Sequence, residues 1–311
     1  MSLAPRAVLV HRTTEYEELV ARHGTHGQAA FFLSSRGRDI EEVAERHRRT
    51  RRAMAEVTAA IPLTWRQTHV ERADLDRFLF APEDVVVVVG QDGLVANVAK
   101  YLAGQPVVGI DTDPGRNPGV LVRHSPADAR LLLPSVFAAG TGSQGLTMVE
   151  AVADDTQRLL ALNEIYLGAA GHQTARYRLG LDDDGGAVEA QASSGVLVGT
   201  GTGATGWIRS VWQERGGGGG RGGGGGSDVG PRLPGPTEDR LVWFVREAWP
   251  SPATGTSLVA GELAAGSRLT LTVESERLIA FGDGIESDAV ELTWGQRVRV
   301  GRAEAALRLV G

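Results

Sequence analysis

The chain contains no cysteine, which excludes disulfides, thiolate zinc sites and cysteine nucleophiles. It contains one lysine, Lys100, so arginine supplies the rest of its basic charge. A phosphate-binding loop of the GxxxxGK(S/T) type depends on its lysine, and Lys100 does not stand in one. Phosphate contacts must therefore come from backbone N–H groups, arginine or a metal. No apolar run approaches the roughly 18 residues that a bilayer-spanning helix needs, and the opening MSLAPRAVLVHR lacks the apolar core of a secretory signal. A cytoplasmic protein without a membrane partner is expected. Net positive charge is missing too: the formal balance is −6, which argues against a general nucleic-acid binder.

What is present suits a globular protein of two domains, with 311 residues, 42% of them hydrophobic and 23% charged. Residues 7–11 read as a strand and 14–22 as a short helix. From Asp39 to Ile61, apolar residues recur at helical spacing, while Arg46, Arg48, Arg49, Arg51 and Arg52 form a basic outer face, read as solvated, with contact to nucleic acid or phosphate as the alternative. A strand over 63–68, an acidic helix over 74–80, a strand through the Val85–Val89 run, a helix over 94–103 and a strand over 106–110 follow. Five consecutive valines before a glycine suit a central strand buried on both faces. The alternation of strands and helices predicts a parallel sheet. After about residue 125, short strand candidates succeed one another with turn signals between them, including a D-G hairpin turn in Asp182-Asp183-Asp184-Gly185-Gly186. The expected organisation is an α/β nucleotide-binding domain over 1–125 and a β-rich domain over 126–311. Residues 216–226 are all glycine except Arg221, so a disordered loop is expected over 215–230.

Three short segments carry the chemistry. Gly90-Gln91-Asp92-Gly93 closes the valine strand; its glycines let backbone approach a phosphate, and its carboxylate can face a reacting hydroxyl, the alternative being a purely structural turn at the end of a core strand. Asn163-Glu164 is expected between a helical stretch (154–162) and a strand (165–167). An amide and a carboxylate there can read an adenine edge or ribose hydroxyls, and the alternative is a helix-capping asparagine beside a surface glutamate. The third segment, Gly199-Thr200-Gly201-Thr202-Gly203-Ala204-Thr205-Gly206, leads from a strand (196–198) into a helix (207–214). Gly201, Gly203 and Gly206 match a dinucleotide fingerprint by letter, but the βαβ unit that fingerprint requires is replaced by polyglycine. The seven histidines show no metal-ligand spacing and read as surface or core residues.

In order and spacing, these segments resemble the NAD kinase family. Gly109-Ile110-Asp111-Thr112-Asp113-Pro114, Ser193-Ser194-Gly195, Phe244-Val245-Arg246-Glu247 and Phe281-Gly282-Asp283-Gly284 are similar to its mitochondrial-type branch, and the likeness runs from about residue 30 to 285. The resemblance implies an α/β domain joined to a β-rich NAD-binding domain, with the active site between them. It implies ATP-dependent phosphorylation of the adenosine 2′-hydroxyl of NAD, with Mg²⁺ accompanying ATP, and a homodimer. Residue by residue, it makes Asp92 the general base and sets Gly90, Gln91 and Gly93 beside the ATP phosphates. Asn163, Glu164, Thr202, Gly203 and Thr205 would hold NAD. The chain departs from the family pattern at Gln91, Leu94, Asp111 and Ala204, which stand where glycine, threonine, asparagine and serine are usual. If the replaced glycine has positive φ, Gln91 costs on the order of 1 kcal/mol. The alternatives are a related kinase acting on a lipid or polyol hydroxyl, and a non-catalytic NAD(P)-binding sensor in which Gln91 and Asp111 have ended catalysis.

Overall fold

A computed structural model describes residues 4–116, 119–137, 142–154, 156–181, 188–216 and 231–311. They form two compact units: the residues through Gln144 together with Arg308–Gly311, and Gly145–Leu307.

The first unit is α/β. It comprises β1 (Arg6–His11), α1 (Glu15–His23), α2 (His26–Ser34), α3 (Ile40–Ala60), β2 (Arg66–Glu71), β3 (Asp84–Gly90), α4 (Asp92–Ala99), β4 (Pro106–Asp111) and α5 (Ala129–Ser135). The strands pair in the order β2-β1-β3-β4, all parallel. Val85 through Val89 are fully buried, as a central parallel strand demands. The carboxylate of Asp84, also fully buried, accepts from Arg6 Nε at 2.7 Å and from Ala81 N–H at 2.7 Å, which ties β3 to β1. A capping box of Thr14 and Glu17 starts α1, and the Asp39 side chain caps α3 by accepting from Glu41 N–H at 2.9 Å. The α3 stripe buries Val43, Ala44, Ala53 and Val57.

Two expectations fail here. The strand expected over 63–68 begins at Arg66, because Trp65 N–H donates to Pro62 O and closes a turn first. The helix expected over 74–80 is only a 3₁₀ turn at Arg72–Asp74. Leu75 is buried there but Leu79 is fully exposed, so the segment has no apolar stripe to hold a helix.

The second unit is β-rich. It contains β5 (Ser143–Ala153, whose first two residues belong to the first unit), β6 (Arg158–Ala161), β7 (Glu164–Gly168), β8 (Ala175–Leu181), β9 (Glu189–Ser193) and β10 (Gly195–Gly199). Then come α6 (Trp207–Glu214), β11 (Leu241–Arg246), β12 (Ala260–Leu263), β13 (Arg268–Val273), β14 (Arg277–Gly282), β15 (Ile285–Thr293) and β16 (Arg297–Val310). One antiparallel sheet runs β12-β11-β10-β7-β14-β15, and β16-β13-β8-β9 form a second antiparallel run. Leu167, Val196 and Val198 of the first share a core with Tyr177, Leu179 and Leu271 of the second. On its other face the six-stranded sheet is covered by Ile208 and Val211 of α6.

The helix expected over 154–162 is absent. Thr156 turns the chain at φ 72°, and β6 pairs back on β5 with Leu159 and Ala161 buried alternately. The aspartate turn at 182–186 and all but the edge of the glycine-rich segment lie outside the described residues.

Candidate functional site

In the first unit the valine strand delivers Gly90 to the sheet's carboxyl edge, where ligands of open α/β sheets bind. Gln91 follows with φ −126° and ψ 165°, ordinary extended backbone, as the N-cap of α4. A glutamine here therefore carries no backbone strain, and this departure from the family pattern costs nothing in φ. Leu94, the next departure, is buried within α4.

Asp92 is the first residue of α4, where the helix dipole favours a carboxylate. Its Oδ1 accepts from Leu121 N–H at 2.8 Å and Val122 N–H at 2.9 Å, and its Oδ2 accepts from Val120 N–H at 3.0 Å. That segment is pressed against β4: a Cβ on Gly109 would lie 2.1 Å from Leu121 O, so only glycine fits. A carboxylate offers about four lone-pair sites. Three are filled among the described residues, leaving capacity at Oδ2. Nothing lies within 4 Å of where a Cβ on Gly93 would point, so a ligand has open approach there. Asp111 aligns with Gly90 in the sheet, and its Oδ1 accepts from Asp113 N–H at 2.8 Å.

A cleft of 840 Å³ opens at the carboxyl ends of β1 and β2, walled by α1 and α3. His11, Thr13, Thr14 and His69 line it from the strand ends, and Arg51 and Met54 line it from α3. Burial lowers the His11 pKa against the pull of Glu71. The arginines of α3 divide by role. Arg46 pairs with Glu15 and Arg49 with Asp113, while Arg48 and Arg52 pair with Glu45. Arg51 forms no ion pair among the described residues and faces the cleft. Sequence reasoning missed this group. The signal available was position: residues directly after parallel strands are where such sheets bind ligands.

In the second unit, two of the sequence segments meet. Thr200 N–H donates to Asn163 O at 2.9 Å, and Thr200 Oγ1 donates to Leu162 O at 2.5 Å. The same hydroxyl accepts from Thr202 N–H at 3.1 Å and Gly203 N–H at 3.3 Å, folding the threonine-glycine turn onto the Asn163 loop. A Cβ on Gly203 would sit 2.2 Å from Asn163 O, so that approach requires glycine. Thr205 Oγ1 donates back to Thr202 O at 2.9 Å. Thr202 Oγ1 is buried without a partner among the described residues.

Asn163 lies in the bend before β7 and Glu164 is the first residue of that strand, so neither ends a helix. Glu164 is 9% exposed, so the reading as a surface glutamate fails. Burial first, and then the charge of Asp283, push its carboxyl up to about 8. At neutral pH it is a protonated acid with one donor and one acceptor, flanked by a half-buried amide. Among the described residues, no three His, Asp or Glu side chains gather as a metal site.

No family model matches the chain. Among curated proteins it is similar to the NAD kinases of Cupriavidus pinatubonensis and Ralstonia nicotianae, each 30% identical over 131 residues. That stretch is 41% of this chain and 42% and 43% of those proteins, so the match spans less than half the length of its curated relatives. In fold it is similar to an Archaeoglobus fulgidus NAD kinase in complex with ATP, with a TM-score of 0.56 at 16% identity over 98% of this chain and 93% of the other. A yeast NADH kinase complexed with NADH gives 0.58 at 14% identity over 99% and 84%. The likeness to the solved structures is one of fold, and the likeness in sequence is confined to those 131 residues.

Proposed function

We propose that the protein transfers the γ-phosphoryl group of ATP to the adenosine 2′-hydroxyl of NAD, giving NADP. The observation that carries this reading is the junction of Thr200–Thr205 with Asn163-Glu164. Two segments far apart in sequence build one small-residue turn against an amide and a neutral acid. Those groups suit a neutral, hydroxyl-rich ligand such as the adenosine of NAD. Asn163, Glu164, Thr202, Gly203 and Thr205 form the acceptor site.

Asp92 is the general base. Its backbone donors fix the carboxylate, and the remaining Oδ2 capacity orients the attacking hydroxyl and takes its proton as the phosphorus–oxygen bond forms. Phosphoryl transfer passes through a loose transition state that asks mainly for positioning and charge stabilisation, so a firmly held base suits it. Gly90, Gln91 and Gly93 lie beside the phosphates, with Gly93 giving open approach. We assign the donor nucleotide to the cleft of His11, Thr13, Arg51 and His69, where a guanidinium with no ion pair among the described residues meets the carboxyl edge of the sheet. Mg²⁺ is held mostly by phosphates and water, with one or two carboxylates; Asp111 at the end of β4 fits that part, and the ion would neutralise charge on the transferred group. The G-x-D-T-D-P sequence of Gly109–Pro114 supports the mitochondrial-type branch.

The test is NADP formation from NAD, ATP and Mg²⁺, run with the parent and Asp92→Asn. NADP from the parent, reduced in the variant by about 10²–10⁴-fold with NAD still bound, is the expected result. NAD bound by both proteins, with NADP from neither, overturns the kinase reading in favour of a nucleotide sensor.

A further inference from the structure

Asp283 occupies the β14–β15 turn at φ 54°, in the left-handed region. Glycine or asparagine would serve such a turn, yet this chain places a charged side chain there and directs both of its oxygens inward. Oδ2 accepts from Leu162 N–H at 2.9 Å, and Oδ1 accepts from Asn163 N–H at 2.7 Å. Asp283 N–H donates in turn to Glu164 O at 3.1 Å. Thr200 holds the carbonyls of the same two residues. Leu162 and Asn163 are thus gripped at both amides and both carbonyls by two turns from distant parts of the chain.

The grip has an electrostatic side. Among the described residues, Asp283 is the charged group that acts on Glu164. Two interacting carboxyl groups, one of them buried, cannot both ionise cheaply. Asp283 has two backbone donors that favour its anion, whereas no hydrogen bond is found to the Glu164 side chain among the described residues. The proton therefore belongs on Glu164.

We propose that Asp283 is a positioning residue of the acceptor site, which fixes the Asn163 backbone and so sets how Asn163 and Glu164 meet the nucleotide. Its charge adds to the burial that keeps Glu164 an uncharged acid there. Such an acid donates one hydrogen bond and accepts another, which matches a ribose hydroxyl or the edge of an adenine. This inference rests on the NAD-phosphorylating reading.

The test compares the parent with Asp283→Asn, which keeps a residue tolerant of positive φ but removes the charge. Asp283→Gly is the second variant, in case the asparagine misfolds. NAD binding by calorimetry and the KM values for NAD and ATP are measured across pH, and the Glu164 carboxyl is titrated by ¹³C NMR, its signal assigned by loss in Glu164→Gln. The expected result is a roughly tenfold weaker NAD affinity at neutral pH, an unchanged ATP KM, and a Glu164 titration displaced to lower pH in the variants. Unchanged NAD affinity and pH profile in the variants overturn the inference. If the parent neither binds nor phosphorylates NAD, the kinase reading falls instead. The NMR titration then still decides the local claim: a lower Glu164 titration in the variants upholds it, and coincident titrations overturn it.

Discussion

Glu164→Gln is an isosteric change whose effect on stability is set by pH. In the unfolded chain Glu164 titrates near 4.5, and in the fold near 8. The folded protein thus holds the proton more tightly, and its stability relative to the unfolded chain falls as pH rises from about 4.5 to about 8. Above that window the loss is complete, and the gap between the two values corresponds to about 5 kcal/mol. Between about pH 5 and about pH 9 the parent should lose about 4 kcal/mol through this one group. Glutamine does not titrate, so the variant lacks this component while keeping every other one. Urea unfolding of both proteins over that range, followed by tryptophan fluorescence, isolates it as the difference between two curves. Trp207, Trp212 and Trp243 of the second unit report on the relevant fold. The variant should gain on the parent steadily as pH rises. Parallel curves would refute the reasoning, because they would mean that Glu164 is ionised in the fold at neutral pH.

Gly203→Ala should destabilise the second unit by about 1–3 kcal/mol and weaken NAD binding, since the new Cβ meets backbone at Asn163 O; urea unfolding and calorimetry check both. Arg51→Ala should raise the ATP KM by roughly tenfold with the NAD KM unchanged, because its guanidinium lines the cleft and forms no ion pair among the described residues; steady-state kinetics with each substrate varied tests this. Gln91→Gly should shift stability by no more than about 0.5 kcal/mol, as the native φ of −126° is one that any residue adopts. A large stabilisation on thermal unfolding would show hidden strain.

The first unit was legible where burial was one-sided or complete. The valine run suited a central strand, and the α3 stripe marked a long helix, though not its capping Asp39. Helix α2 was not read, because Ala29 to Leu33 form an apolar clump rather than a spaced stripe; α1 and α3 hold it in place by covering Ala29 and Leu33. The 154–162 segment misled because a short apolar run does not reveal its period, and the Thr156 turn that makes it a hairpin is chosen by pairing with β5. The candidate site shows the same division. The residues in contiguous motifs were named from the sequence. His11, Arg51 and His69 were not grouped, since only the pairing of β1 with β2 and the packing of α3 gather them. The role of Asp283 was invisible because its partners are 120 and 121 residues away.

One strand ties the order of synthesis to the order of folding. The sheet of the first unit is finished by the end of β16, where Arg308 and Leu309 pair with Pro106 and Val107 of β4. Val310 O also lies 3.1 Å from Nε2 of His124, 186 residues earlier. The unit made first on the ribosome therefore cannot cover its β4 edge until the whole of the second has been translated. Throughout elongation that edge is an open template for pairing. A lesion in the last few residues should consequently appear as a defect of the amino-terminal unit.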